Sequence, residues 1–294
     1  MTVAPPAPAR TAPTASPASG THDTRGGRVI AGAFSDAAAD GRAALIPYVV
    51  AGYPDLETSF EAAIACIDAG ADLLEVGLPY SDPLADGATL QRASGVALKA
   101  GATFDRSIDL VRRIAESRPR VPLVPMCYAN QVIGGGDGRA AATRLAEAGA
   151  AGMIVADLTP DEGAPFEAVA RDVGLAVVYL VAPTTAPDRR RAIANRTGGF
   201  LYCVSLTGVT GARTSLPGHV ARLVREVKAG SPVPVAVGFG VSRPAHVKAL
   251  TRAGADGVIV ASALVDALGD DGRDIAALAR LVRSLREAGA TLAA

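Results

Sequence analysis

Short apolar runs alternate with amphipathic stretches along nearly the whole chain. Apolar residues recurring every three to four positions predict helices, and compact runs rich in Val, Ile and Leu predict strands. On that reading a helix over residues 28–39 precedes a strand at 44–50, and a helix at 57–69 precedes a strand at 72–76. Helical periodicity at 90–99 and 104–117 leads to a strand at 121–127, and a helix at 137–148 to one at 152–156. Three more units pair helix 162–173 with strand 175–181, helix 187–196 with strand 200–205, and helix 217–229 with strand 233–237. Helix 243–253 leads to the last strand, 257–260, and helices at 262–268 and 273–289 finish the pattern. Strands separated by helices of this length imply βαβ units and a parallel sheet. Eight such strands over about 250 residues fit a single closed (β/α)₈ TIM barrel with an extra N-terminal helix.

An open doubly wound sheet is the competing architecture. It normally carries a glycine-rich fingerprint after its first strand, and Ala51-Gly52-Tyr53-Pro54 is not one. The stretches IDAGADLLEVG (67–77), LAEAGAAGMIVAD (145–157) and LTRAGADGVIVAS (250–262) each close a helix at Ala-Gly and enter an apolar strand. Glycine is the expected residue just past a helix end, so shared geometry accounts for the repeat without duplication.

Residues 1–27 break the pattern: they are Ala-, Pro- and Thr-rich, with almost no large apolar side chains. Such a segment buries too little surface to offset its ordering entropy and reads as a disordered extension. Its prolines oppose an amphipathic targeting helix, and it has no signal-peptide apolar core. Residues 28–294 form the catalytic domain on this reading.

Composition narrows the function. The formal net charge is zero, with 29 basic and 29 acidic residues and no long basic run, which disfavours nucleic acid or an anionic membrane as partner. No apolar stretch approaches the roughly 20 residues that span a bilayer. Cys66, Cys127 and Cys203 are far apart in apolar contexts and read as reduced core residues of a cytoplasmic protein.

One stretch is chemically unusual. Residues 72–91, DLLEVGLPYSDPLADGATLQ, set Glu75 inside an apolar strand and carry Asp82 and Asp86 in the loop that follows. Burying a carboxylate is costly unless it has a partner or a task. In a barrel, chemistry sits in the loops after the strands, so Glu75 and Asp86 are the candidate pair. Asp82 reads first as a turn residue of a Pro/Gly loop. The strand ends also present Tyr48, Tyr128, Asp157, Tyr202, Gly238, Phe239, Gly240 and Ser262, a pocket that is apolar and aromatic with almost no cations.

The lysines, Lys99, Lys228 and Lys248, all fall in helices, which disfavours a Schiff-base aldolase. His22, His219 and His246 do not lie at strand ends, which disfavours a histidine-ligated zinc site. Gly208, Gly211, Gly238, Gly240 and Ser262 follow the last three strands. Backbone N–H groups there commonly hold phosphate in this fold. What remains is carboxylate acid–base work on a phosphorylated, partly apolar substrate, with no cofactor and no metal.

Four motifs carry a family resemblance: residues 72–91 quoted above, IPYVVAGYPD (46–55), SLTGVTGAR (205–213) and VGFGVS (237–242). From about Val29 onward the chain resembles the tryptophan synthase α-subunit family. The resemblance implies reversible retro-aldol cleavage of indole-3-glycerol phosphate to indole and glyceraldehyde 3-phosphate. It makes Glu75 the general acid/base and Asp86 the partner of the indole N–H. Tyr48, Leu90 and Tyr128 match indole-pocket positions, and Tyr202 a tyrosine beside Glu75. Gly211, Phe239, Gly240 and Ser262 match the phosphate site, and Thr210 a mobile-loop threonine. A β-subunit, in an α₂β₂ complex, is the implied partner. The chain departs from the family pattern at Ala88, Thr159, Leu206, Ala261 and the GGGDG loop (134–138). These departures bear on partner binding and leave two alternatives open: a standalone lyase releasing free indole, and a non-catalytic activating subunit.

Overall fold

The computed structural model describes residues 23–204, 218–238 and 240–290. The expected extension therefore lies outside the described residues up to position 22. Its last residues do not belong to it, because the first helix begins at Arg25 and runs to Ala39. Thr24 caps that helix, its hydroxyl accepting from the Gly27 N–H at 3.0 Å. Gly26, which reads as part of a flexible tail, is buried: its N–H donates to the Gly174 carbonyl at 2.9 Å. A Cβ on Gly26 would stand 1.6 Å from the Ala151 carbonyl oxygen, so only glycine lets the helix dock this closely.

Among the described residues, nine parallel strands form one sheet. They are β1 (Ala44–Val50), β2 (Leu74–Gly77), β3 (Leu123–Cys127), β4 (Gly152–Val155), β5 (Ala176–Val178), β6 (Leu180–Val181), β7 (Leu201–Val204), β8 (Val235–Gly238) and β9 (Gly257–Val260). Their order is β5-β4-β3-β2-β1-β9-β8-β7-β6. The two ends, β5 and β6, are consecutive pieces of one segment separated by Tyr179 alone. The sheet thus returns to itself as a nearly closed barrel, and the open doubly wound alternative is ruled out.

The segment expected as one strand, 175–181, divides because its two halves serve different neighbours: β5 pairs with β4, and β6 with β7. At the junction the Tyr179 N–H donates to the buried Thr197 hydroxyl at 2.9 Å. The Tyr179 hydroxyl donates to Glu167 at 2.5 Å, and Arg196 donates to the other oxygen of that carboxylate at 2.8 Å. A buried polar network of this kind is stable because its members are satisfied.

Two apolar cores hold the molecule. The outer one lies between the strands and the surrounding helices. The inner one fills the barrel, where Ile30 and Phe34 of the first helix meet Ile46, Leu73, Ile154, Phe200 and Ile259. The first helix is therefore a plug across the end where the strands begin. Side chains alternate along a strand. Two residues beyond Ile46 and Leu73, the next inward positions are Tyr48 and Glu75. The plugged half of the barrel is hydrocarbon, and the next layer up carries the chemistry.

Candidate active site

A cavity of about 510 Å³ opens at the end where the strands finish. Glu75 lies in its wall, directly opposite Tyr48 in the β1–β2 register. The residue is 1% exposed, and neither carboxylate oxygen has a hydrogen-bond partner among the described residues. Burial, with the nearby Asp86 charge in second place, pushes its pKa up to about 8. At neutral pH Glu75 holds its proton and can donate it.

Tyr48 reaches this layer because residue 77 is glycine. A Cβ there would stand 1.8 Å from the Tyr48 hydroxyl oxygen. Burial and the charges of Asp86 and Glu75 raise the Tyr48 hydroxyl well above the usual tyrosine range, so it stays neutral.

Asp86 enters the same cavity from the loop after β2. Its pKa is pushed up to about 6 by burial, against the opposing effect of a hydrogen bond from Tyr128. Tyr128 is not part of the cavity wall that the indole-pocket expectation implies. Its hydroxyl accepts from the Ala85 N–H at 3.1 Å and bonds the Asp86 carboxylate, holding the loop from behind. The Tyr128 ring stacks on Tyr80 with centroids 5.2 Å apart. Behind it, the Gln131 side-chain amide donates to the Pro79 carbonyl at 3.0 Å. The short helix Ala129–Ile133, absent from the expected elements and capped by Tyr128, supplies Gln131.

The Asp82 carboxylate is exposed outside the cavity wall, accepting from the Ser81 hydroxyl at 2.5 Å. Beside it, Leu84 is 91% exposed. Ala88 opens the helix Ala88–Lys99, where it needs no special backbone freedom.

The rest of the wall is mostly apolar: Leu90, Met126, Leu180, Tyr202, Val204 and Ile259. Gly240 and Ser262 lie in it too, and Ala261 leads into the short helix Ser262–Ala267. Thr210, Gly211, Phe239, Gly208 and Leu206 lie outside the described residues. Sequence reasoning missed Thr89, Ser242, Arg243 and Asp266, all of which line the cavity. The signal for Arg243 was its place directly after the VGFGVS motif, yet the pocket reads as nearly free of cations.

Among the described residues no group of three or more His, Cys, Asp or Glu is placed to hold a metal ion, and no helix is long and apolar enough to cross a membrane. One buried and one half-buried acid with separated pKa values, in a mostly apolar cavity at the strand ends of a parallel barrel, define an acid–base enzyme of the TIM-barrel class.

Comparison with known proteins identifies which one. The family model described as tryptophan synthase alpha chain matches residues 34–291. The tryptophan synthase alpha chain of Gloeobacter violaceus is 45% identical over 265 residues, covering 90% of this chain and 95% of that one. That of Roseiflexus castenholzii is 44% identical over 259 residues, covering 87% and 98%. Among solved structures, tryptophan synthase of Mycobacterium tuberculosis superposes with a TM-score of 0.81 at 39% identity, covering 91% of this chain and 99% of that one. The chain belongs to the tryptophan synthase alpha chain family, lyases that cleave indole-3-glycerol phosphate in tryptophan biosynthesis.

Proposed function

We propose that Glu75 and Asp86 divide the acid–base work of this cleavage, and that the chain acts as the α-subunit of a cytoplasmic α₂β₂ complex with a β-subunit. The supporting observation is Glu75: a buried acid with no hydrogen-bond partner among the described residues, facing a cavity it shares with Asp86 and with Asp266, whose counter-ion is Arg92.

Cleavage begins when protonated Glu75 delivers its proton to indole C3, which leaves positive charge on the ring nitrogen. Ionised Asp86 accepts a hydrogen bond from that N–H and stabilises the charge; a preorganised carboxylate does this best in a water-poor site. Glu75, now a carboxylate, takes the proton from the hydroxyl on the carbon attached to C3. The carbon–carbon bond breaks, its electron pair returns to the ring, and the products are indole and glyceraldehyde 3-phosphate. Glu75 ends protonated, ready for the next turn. Tyr48, Leu90 and Tyr202 surround the ring, and Tyr128 positions Asp86 from behind. Gly240 and Ser262 receive the phosphate through backbone N–H groups, together with Gly211, with Phe239 beside them, while Thr210 closes on the Asp86 loop; Thr210, Gly211 and Phe239 lie outside the described residues.

Membership of the tryptophan synthase alpha chain family supports a β-subunit as the partner. The test is indole formation from indole-3-glycerol phosphate by the purified chain, alone and with a β-subunit. Glu75→Gln is expected to lower kcat by about 10²- to 10⁴-fold with substrate still bound. An unimpaired variant sinks the assignment. A rate that a β-subunit does not raise argues for a standalone lyase.

A further inference from the structure

We propose that the Arg243 guanidinium is a cationic contact for the substrate phosphate, adding a charged anchor to the backbone N–H groups. The inference rests on placing the phosphate at the Gly240–Ser262 end of the cavity.

The charge inventory of the wall motivates it. Among the described residues, the charged side chains lining the cavity are Glu75, Asp86, Asp266 and Arg243. Asp266 already has a counter-ion, Arg92, at 3.6 Å. No carboxylate among the described residues forms an ion pair with Arg243. A phosphate dianion entering this cavity meets the ionised Asp86 on the indole side. Neutral peptide dipoles alone leave that repulsion uncompensated, whereas a guanidinium forms charge-assisted bonds to phosphate oxygens.

The backbone holds Arg243 in place for this task. Gly240 turns the chain at a φ of +78°, and Val241 is buried beneath the loop. The Ser242 N–H donates to Nδ1 of the buried His246 at 3.3 Å, and the His246 N–H donates to the Arg243 carbonyl at 3.0 Å. Pro244 follows as the first residue of the helix Pro244–Arg252 and restricts Arg243 to its extended conformation. The root of the side chain is fixed, and its exposed arm keeps the freedom to meet the ligand.

The reverse reaction separates the two ends of the cavity, because its substrates are indole and glyceraldehyde 3-phosphate. For Arg243→Ala, the KM for glyceraldehyde 3-phosphate is expected to rise about tenfold, as for one solvent-accessible charged hydrogen bond. The KM for indole should stay within about twofold and kcat fall less than about threefold, a split that general damage to the fold would not produce. Arg243→Lys should recover part of the loss, as a point charge lacking the planar fork. Inorganic phosphate should inhibit the wild type competitively against glyceraldehyde 3-phosphate and inhibit Arg243→Ala more weakly by a similar factor. An unchanged KM and phosphate inhibition in Arg243→Ala overturn the proposal. Wild-type inhibition that is not competitive overturns the placement of the phosphate itself, and the inference with it.

Discussion

The Tyr128 hydroxyl bonds the Asp86 carboxylate, and at the same time accepts the Ala85 N–H at 3.1 Å. One phenol from the strand-3 side thus ties down the acid-bearing loop of strand 2, while Glu75 has no such bond among the described residues. This asymmetry sets the two acids apart: the bond to Tyr128 holds Asp86 lower, at about 6, and burial holds Glu75 at about 8.

Catalysis should therefore follow a bell-shaped pH profile. Activity rises as Asp86 ionises through about 6 and falls as Glu75 loses its proton through about 8. In Tyr128→Phe the bond that lowers Asp86 is gone, so the acidic limb moves to higher pH. The rate at neutral pH should drop about tenfold, as for a lost hydrogen bond to a charged group. Rate profiles of both proteins decide it; an unmoved acidic limb would show that Tyr128 does not hold Asp86.

Stability should carry the signature of Glu75 as well. Its folded-state pKa, about 8, lies above the 4.5 of an unperturbed glutamate, so the folded chain binds the extra proton between those values. Stability is therefore lost as pH rises from the unfolded pKa through the folded one, by on the order of a few kcal/mol in total. Glu75→Gln removes the titrating group. Denaturant unfolding should find the variant more stable than the wild type at alkaline pH, with the gap shrinking toward acid. A gap that does not vary with pH would contradict the burial argument.

Gly77→Ala tests the packing beneath the cavity. Its new methyl would meet the Tyr48 hydroxyl oxygen at 1.8 Å, and Tyr48 is buried on the strand opposite. The ring has to move into the cavity. Overpacking of this kind costs about 1–3 kcal/mol, and substrate affinity should fall with it. Adding Tyr48→Phe, which removes the offending oxygen, should restore part of the lost stability. Unfolding curves of the single and double variants measure both effects.

Much of this was legible in the chain. The 3.6- and 2-residue periods are local, so every expected strand appears within a few residues of its place. Glu75 announced itself because a carboxylate in an apolar run is costly wherever the strand ends up. Asp86 was recognisable from the motif around it.

Other features depend on which distant segments meet. Gly77 closes β2 and is the hollow that admits Tyr48 from β1. Gly26 reads as tail, yet it is the contact on which the barrel's plug rests. Tyr128 reads as a pocket wall, yet it props the Asp86 loop from behind. Strand 5 divides at Tyr179 because the barrel closes there, with Thr197 taking the N–H that would otherwise belong to a ladder. The sequence by itself determined the alternation of elements and the barrel class, and it singled out Glu75, because each follows from local periodicity or from the cost of burying a charge. Only the tertiary structure decided which acid is propped and which is bare, and that the cavity has a cation, Arg243. Those outcomes arise from contacts between residues far apart in the chain, and spacing along the chain does not encode them.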